Sequence, residues 1–514
     1  MRGILEKEPG RSPAKFNYMP PLRAFQRRSV VLLAVLSVFC LGLLVSSGRL
    51  RERCEDSGFC SPTKLSPGLP SLGDAQRLRS HGQNRTMPVR ADKPTAAKLG
   101  PSADCANFPD TSKVLLVMKT GASEAFGKIP NQIMTNLKCL PDFLLFSDMA
   151  QKVAGHTIHD SLDTVLPEVK RNNEDFDLYF RQKTCPVDQD SCNKHHGVGK
   201  EGWNLDKYKN IHMAEKAYAM RPNYDWYMFV DADTYVVWPT LVKWLEKLDP
   251  LEAHYIGSLS YVGPVPFAHG GSGYLVSQAS MSNMFKGRKD VANRWDQRVT
   301  RECCGDFVFS LAMKNETGAD VRNAWPTING EKPHTLPYAE EGWCQPIVTM
   351  HHVGAEDVSD LYAFEQERNF SYPMRIKDLY HRFVKDHLMA KRDDWDNLSD
   401  DVVYLNTSAY DYADWEKAKA KKEDLSSLEL LAHQSFHDCR RTCYSLPDCL
   451  QFRFYHGMCS VSHTIKHGHP SKQEPDRHWR YLSGWNVRKI QEWVEAHQDC
   501  GDVEFPVTDG WVSL

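Results

Sequence analysis

Two carboxylates separated by one residue follow an apolar stretch and could bind a cation. Asp231 and Asp233 come directly after Trp226–Val230, whose residues suit a buried strand. Carboxylates at the end of such a strand are costly unless a positive charge meets them. Oxygen ligands suit Mn²⁺ or Mg²⁺, which keep positions open for phosphate oxygens. The pair predicts a cation that bridges to a diphosphate, and the alternative is a surface turn that happens to hold two aspartates.

The composition bounds the classes of protein that this chain can belong to. It has 514 residues, of which 41% are hydrophobic and 25% charged, enough for a large domain and a smaller one. The net charge of −3 gives no overall basic field. Nucleic acid is therefore not an expected partner.

One N-terminal segment is apolar enough to enter a membrane. Residues 29–47 carry no charge and are close to the shortest length that spans a bilayer. Basic residues dominate the segment 1–28 before it, which favours a cytosolic N-terminus and a single-pass, type II orientation. The alternative is a cleaved signal peptide that ends near Ser46-Ser47-Gly48. Both interpretations place the rest of the chain in the secretory lumen.

The cysteines and glycosylation sequons agree with that compartment. Of the 15 cysteines, Cys40 lies in the apolar segment, and the even number that remains suits disulfides. Residues 48–104 are rich in Ser, Pro, Gly and Arg, which predicts a disordered stem. Cys54 and Cys60 in this stem can form a local loop or pair between chains, and the second arrangement would give a homodimer. Asn-x-Ser/Thr sequons begin at Asn84, Asn315, Asn369, Asn397 and Asn406.

From Cys105 onward the pattern predicts a globular α/β domain. Strands are predicted at 113–118, 142–147 and up to Asp231, and helices at 131–137, 207–220 and 240–248. Alternating strands and helices favour an α/β sandwich, in which ligands bind beyond the carboxyl ends of the strands. Asp231 and Asp233 lie where that rule places a site.

A second, cysteine-rich region is predicted over 411–514. A charged, helix-prone connector spans 414–423, and four cysteines follow within about twenty residues, namely Cys439, Cys443, Cys449 and Cys459. A zinc site is the alternative, but the secretory setting favours disulfides.

Four segments follow one another in an order that resembles a known family. They are Trp203-x3-Lys207, the run HGGSGYLVS from His269 to Ser277, Cys303-Cys304-Gly305-Asp306-Phe307, and Cys344-x6-His351-His352-Val353. Together they resemble glycosyltransferase family 31, in particular its fringe-like and core-1 β1,3-galactosyltransferase-like members, over roughly residues 110–365. The resemblance implies a Rossmann-like GT-A fold over 105–410, a UDP-sugar donor and a Mn²⁺ (or Mg²⁺) cofactor. It also implies inverting transfer of a hexose, with galactose as the best guess, in β1,3 linkage to a glycan or glycoprotein in the Golgi or ER.

The same resemblance implies a role for each motif residue. Asp233 and His351 would bind the metal, with Asp231 nearer the ribose or behind the ligands. Asp306 would be the catalytic base. Its alternative role is an N-cap, because residues 307–313 look helical. Ala232 stands where close relatives carry Asp, and Gly305 and Phe307 stand where they carry Glu and Leu.

The remaining motif residues would bind the nucleotide sugar or the acceptor. Gly270, Gly271 and Gly273 would line that pocket, because glycine lets the backbone approach a sugar closely. Trp203 and Lys207 would lie near the nucleotide, with Lys207 meeting phosphate. The alternatives are a plain glycine turn, ordinary packing and a solvated helix lysine.

Two expectations concern the neighbours of these residues. His352 should point away from His351 if the segment is a strand, since side chains alternate there. Cys303 and Cys304 should pair with distant partners rather than with each other, and the partners considered are Cys105, Cys139, Cys185, Cys192 and Cys344.

The C-terminal region resembles a PAN/Apple module, which would bind the acceptor or simply pack on the catalytic domain. Two alternative functions stay open. One is a fringe-like β1,3-N-acetylglucosaminyltransferase. The other is an inactive member that acts as a lectin-like binder or as a chaperone, against which the intact Asp231, Asp233, Asp306 and His351 argue.

Overall fold

The computed structural model describes residues 103–506 except 186, 190 and 192–197, and these belong to one compact unit. The predicted tail, membrane segment and nearly all of the stem lie outside the described residues, as do Cys40, Cys54, Cys60 and the sequon at Asn84. In the part that is described, no helix has the length and apolar character to cross a bilayer.

The described part contains short and medium strands in chain order. They are β1 (Val114–Lys119), β2 (Phe143–Ser147), β3 (Gln151–Val153), β4 (His156–Asp160), β5 (Trp226–Asp231), β6 (Tyr235–Val236), β7 (Tyr255–Gly257), β8 (Leu259–Val262), β9 (Val265–Ala268), β10 (Tyr274–Ser277), β11 (Arg322–Asn323), β12 (Thr349–Met350), β13 (Arg392–Asp393), β14 (Trp395–Asp396), β15 (Val402–Leu405), β16 (Gln451–Tyr455), β17 (Met458–Ser462), β18 (His469–Pro470) and β19 (Leu482–Trp485).

The α-helices are distributed between and after these strands. They are α1 (Ala125–Met134), α2 (Pro167–Lys170), α3 (Asp177–Thr184), α4 (Val198–Asp206), α5 (Lys209–Met220), α6 (Trp238–Leu245), α7 (Gln278–Phe285), α8 (Asp296–Val299), α9 (Gly305–Thr317), α10 (Glu340–Trp343), α11 (Ala355–Glu367), α12 (Ile376–Phe383), α13 (Asp414–Lys419), α14 (Phe436–Ser445) and α15 (Val487–Ala496).

An eight-stranded sheet forms the centre of the α/β part, in the order β11-β7-β10-β5-β1-β2-β4-β3. Strand β1 pairs in parallel with β2 on one edge and β5 on the other, and all its residues are buried. A separate apolar core lies against each face of the sheet. The three predicted strands are confirmed as β1, β2 and β5. This mixed α/β arrangement fits a Rossmann-like GT-A domain.

Two of the three predicted helices are confirmed, and the third is displaced. The helix predicted at 207–220 is α5, and the one at 240–248 is α6. The helix predicted at 131–137 is wrong in its bounds, because α1 begins at Ala125 and ends at Met134. Ala125 and Ile129 are buried in the core below the sheet, and Pro130 is tolerated inside the helix.

A two-stranded ribbon brings two distant segments together. Strands β6 and β12 pair in an antiparallel register that sets Met350 opposite Tyr235. His351 therefore follows β12 at the point where Asp233 precedes β6, and Val353 N–H donates to the carbonyl of Asp233 at 3.0 Å.

The C-terminal region is built around a five-stranded sheet in the order β13-β19-β16-β17-β15. The disulfides Cys439–Cys459 and Cys443–Cys449 lie within it, which confirms disulfides for the cysteine cluster. The sheet takes strands from both sides of residue 411, and the boundary there and the PAN/Apple assignment stay predictions. Helix α15 packs in a core shared with β6, α10 and α11, and Cys344–Cys500 closes that connection.

The expectation for the adjacent cysteines is wrong. Cys303 and Cys304 are bonded to each other, with Cα atoms 3.8 Å apart, the spacing of neighbours across a trans peptide. Two of the proposed distant partners, Cys105 and Cys139, are bonded to each other instead.

Candidate functional site

The turn after β5 holds the two aspartates in a defined position. Ala232 N–H donates to the carbonyl of Lys119 at 2.8 Å, and Gln132 donates to the carbonyls of Ala232 and Thr234. Ala232 is buried in the core, where a carboxylate in its place would lose its hydration. The departure from Asp-Asp-Asp thus affects a core position and leaves the two outer carboxylates in place.

Asp233 lies between a histidine and a lysine. Its Oδ1 is 3.3 Å from His351 Nε2, and its Oδ2 is 3.2 Å from Lys128 Nζ. Burial disfavours charge on Asp233, but the hydrogen bond with His351 and the Lys128 ammonium outweigh it. The pKa of Asp233 is therefore lowered, and the group is a carboxylate at neutral pH.

His352 joins this group, contrary to the expectation that it points elsewhere. Strand β12 ends at Met350, so side-chain alternation does not apply, and His352 has a φ of +59°. The rings of His351 and His352 lie 3.9 Å apart, and one ligand atom from each of Asp233, His351 and His352 falls within 4.8 Å of the others.

These three residues fit a divalent cation such as Mn²⁺. Carboxylate oxygen together with imidazole nitrogen is a donor set that Mn²⁺ accepts. His351 Nδ1 is also buried without a hydrogen-bond partner among the described residues. Asp233, His351 and His352 are therefore the residues that would hold the ion.

Asp231 and Lys119 belong to a buried charge network beside the cation site. The parallel register sets Lys119 next to Asp231, with Nζ 3.3 Å from Oδ1, and Lys119 also bonds Asp206. Burial raises the pKa of Asp231, Lys119 opposes this shift, and the nearby carboxylates of Asp206 and Asp233 add to it. Asp231 thus forms an ion pair with Lys119 and does not belong to the three-residue group.

A second lysine completes the network. Lys209 Nζ lies 3.1 Å from Asp206 and 3.2 Å from Asp148, and it donates to the carbonyl of Thr120. Burial would raise the pKa of Asp206, but Lys119 and Lys209 together lower it to about 2. The network therefore keeps Asp206, Lys119 and Lys209 charged at the edge of the cavity.

Close contacts with the site require glycine in the run from Gly270 to Gly273. A Cβ on Gly271 would lie 2.2 Å from the His351 ring, so only glycine fits there. Gly273 has a φ of +84°, which favours glycine for a separate, conformational reason. Gly270 N–H donates to Asp306 Oδ2 at 2.8 Å.

Asp306 lies in the first turn of α9, with its carboxylate at the glycine run. The N-cap is Cys304, so the alternative role of Asp306 as an N-cap is wrong. Its Oδ1 accepts from Phe307 N–H and its Oδ2 from Gly270 N–H, which fixes the carboxylate. A Cβ on Gly305 would lie 2.5 Å from the carbonyl of Lys207, which explains glycine in place of the family's Glu.

Trp203 and Lys207 are placed differently from each other. Trp203 is 71% exposed and lines the cavity beside the aspartates. Lys207 is not among the lining residues, and its Nζ is 2.8 Å from Asp175 Oδ2. Its predicted phosphate contact would require that ion pair to open.

The cavity itself has a volume of about 320 Å³. Its lining includes Lys119, Asp206, Lys209, Asp231, Asp233, His351 and His352. A larger cleft of about 950 Å³ shares Ser123, Glu124 and Lys128 with it and continues past the exposed Phe126. The charged groups are therefore in the smaller space, next to a cleft with room for a larger ligand.

Sequence reasoning missed Lys119, Asp206 and Lys209, and it named His352 as the residue adjacent to His351 without assigning it to the metal site. The position of Lys119 at the end of the first strand was a usable signal, because a parallel neighbour sets it beside Asp231. The conformation of His352 had no such signal.

A family model described as Fringe-like matches residues 180–304, about a quarter of the chain. The matched stretch includes Trp203, both aspartates and the glycine run, and it ends just before Asp306. This similarity indicates a glycosyltransferase of the fringe-like type. No curated protein matches the chain significantly.

Proposed function

We propose that this chain is a cation-dependent, inverting glycosyltransferase that moves a hexose from a UDP-sugar to a hydroxyl of a glycan or glycoprotein. One observation carries the proposal. A single glycine-rich turn contacts both halves of the site, since Gly271 packs on the His351 ring and Gly270 N–H holds Asp306. The residues proposed for the diphosphate and for the base therefore contact one short turn at two neighbouring glycines.

The carboxylate and imidazoles beside Gly271 suit the leaving group. A divalent ion held by Asp233, His351 and His352 would offset the negative charge that develops on UDP. Lys128 and Lys119 add positive charge at the same edge of the cavity. Trp203, which is largely exposed on the cavity wall, offers a flat face to the nucleotide.

Asp306, which is held by Gly270 N–H, suits the acceptor. Each of its oxygens accepts one backbone N–H, and a carboxylate oxygen has a further lone pair for the acceptor hydroxyl. Asp306 would take that proton as the acceptor oxygen attacks the anomeric carbon. No covalent enzyme intermediate is needed in a single displacement.

Galactose in β1,3 linkage to O-linked N-acetylgalactosamine is the donor and acceptor pair that the family resemblance favours. The match to a Fringe-like model favours a second candidate, β1,3 transfer of N-acetylglucosamine. Both use the same cation site and base, so they differ only in the pocket for the hexose.

We also propose that the enzyme acts in the lumen of the Golgi or ER, anchored by residues 29–47, and a homodimer remains part of the proposal. Five disulfides between described residues support an oxidising compartment. The sequon at Asn397 does not support a glycosylated, lumenal protein. Asn397 is fully buried, and its side chain donates to the carbonyls of Phe452 and Gly484.

The test is a donor panel with the full chain produced in a secretory host. UDP-galactose, UDP-N-acetylglucosamine, UDP-glucose and UDP-N-acetylgalactosamine are each supplied with Mn²⁺ or with a chelator, with and without O-linked N-acetylgalactosamine. We expect cation-dependent transfer from one donor. Glycan binding without turnover on any donor would contradict the proposal and favour a lectin-like binder.

A further inference from the structure

His269 opens the glycine-rich turn and has no part in the mechanism above. Its Nδ1 accepts from Ser272 N–H at 3.1 Å and lies 2.8 Å from Ser272 Oγ. A backbone N–H can only donate, so Nδ1 is the acceptor nitrogen of the ring. In the neutral imidazole the proton is therefore on Nε2.

The Nε2–H group is free to bind a ligand. Among the described residues, no side chain or carbonyl accepts a hydrogen bond from it, and the ring is only partly buried. The His269 ring centroid lies 5.7 Å from that of His351. The next residue, Gly270, donates its N–H to Asp306. His269 therefore lies close to both the His351 ring and Asp306.

That position corresponds to one part of the substrate. In an inverting displacement the base and the leaving group lie on opposite sides of the anomeric carbon. The diphosphate belongs at Asp233 and His351, and the acceptor hydroxyl belongs at Asp306. The hexose ring would therefore lie between them, and the proximity of His269 to both groups brings its ring within reach of the hexose.

We propose that His269 Nε2–H donates a hydrogen bond to a hydroxyl of the transferred hexose and so helps to select the donor sugar. This inference rests on the proposed function. The tautomer that Ser272 imposes makes His269 a donor at this position, and its partner is a hydroxyl of the hexose.

The test combines substitution of His269 with removal of single hydroxyls from the donor sugar. Wild type, His269→Phe and the control His159→Phe are assayed with the natural UDP-hexose and with analogues that each lack one hydroxyl. His159, in β4, is also half-buried, but it packs on Phe146 of β2, outside the cavity. In wild type, we expect loss of one particular hydroxyl to lower kcat/KM roughly tenfold, the size of one hydrogen bond.

His269→Phe should show that loss with the natural donor and no further loss with that one analogue. The control should keep the wild-type profile. A His269→Phe profile parallel to wild type over all analogues would contradict the inference. If His269→Phe does not fold, His269→Gln, which keeps an N–H donor, must retain the wild-type preference among analogues, and a uniform profile would contradict it.

The two proposals fail in different ways. If wild type turns over no UDP-sugar, the proposed function is wrong. If wild type is active and the profiles of wild type and His269→Phe are parallel, only the role of His269 is wrong.

Discussion

Two regions of this molecule bury charged groups, and they do so with different geometry. At the end of β5, Asp231, Asp233 and their lysines open onto a cavity. In the C-terminal region, Arg453 Nη1 lies 2.6 Å from Asp396 Oδ1. Both side chains of this ion pair are largely buried. The difference indicates that the first set of charges is available to a ligand, whereas the second serves the fold. Removing a charge should therefore cost activity in one region and stability in the other.

The largest effect is expected at Asp233. Asp233→Asn should lower turnover roughly a thousandfold, because several kcal/mol of stabilisation by the cation are lost. Its melting temperature should change little, since the side chain faces the cavity. Steady-state transfer assays and thermal melts measure the two quantities. The control is Asp225→Asn before the other end of β5, and equal activity losses in both variants would contradict the account.

The opposite outcome is expected at Arg453. Arg453→Met leaves Asp396 buried without its partner, which should cost about 3 kcal/mol of unfolding free energy. Chemical denaturation measures this change, and activity per folded molecule should stay at the wild-type level. Arg488→Met, at a side chain that is 84% exposed, is the control. If Arg453→Met is as stable as that control, the ion pair does not stabilise the fold and the contrast between the two regions is wrong.

A smaller loss of activity is expected at Asp306. Asp306→Asn keeps the shape of the side chain but removes the base, so kcat should fall by roughly a hundredfold or more. The matched variant is Asp320→Asn, at a surface ion pair beyond α9. Normal kcat in Asp306→Asn would show that another group accepts the proton.

The smallest effect concerns Glu365, a buried acid that belongs to the fold. Its carboxyl accepts a hydrogen bond from Tyr235, and burial raises its pKa from 4.5 to about 8. The folded state therefore binds more protons than the unfolded state, and stability falls as pH rises from 4.5 to about 8.

Glu365→Gln should remove this dependence and raise the unfolding free energy at pH 8 above that of wild type. Denaturation at pH 5 and pH 8 measures it, with the exposed Glu367→Gln on the same helix as the control. A wild-type pH slope in Glu365→Gln would contradict the predicted protonation.

The parts of the fold that were predictable from sequence depend on local pattern. Strands β1 and β5 are continuous apolar runs because both faces are covered, so their pattern is visible without any partner. Helix α1 was displaced in the prediction. It continues through Pro130, and the burial of Ala125 and Ile129 that supports it depends on tertiary packing. The bond between Cys303 and Cys304 likewise depends on a local conformation that spacing does not reveal.

The same distinction applies to the site. Asp231, Asp233, Asp306 and His351 were recognisable because each lies in a short motif. His352 joins them through a left-handed backbone conformation after β12, and Lys119 through the parallel register with β5. Both depend on which segments become neighbours, as does the pairing of Lys207 with Asp175.

The central claim is that Asp233, His351 and His352 bind a divalent cation. Titration of Mn²⁺ into the full chain with UDP, followed by the electron paramagnetic resonance signal of free Mn²⁺, tests it most directly. We expect a single bound ion in wild type, weaker binding in His352→Ala, and no binding in Asp233→Asn. Equal binding of Mn²⁺ by wild type and Asp233→Asn would contradict the claim.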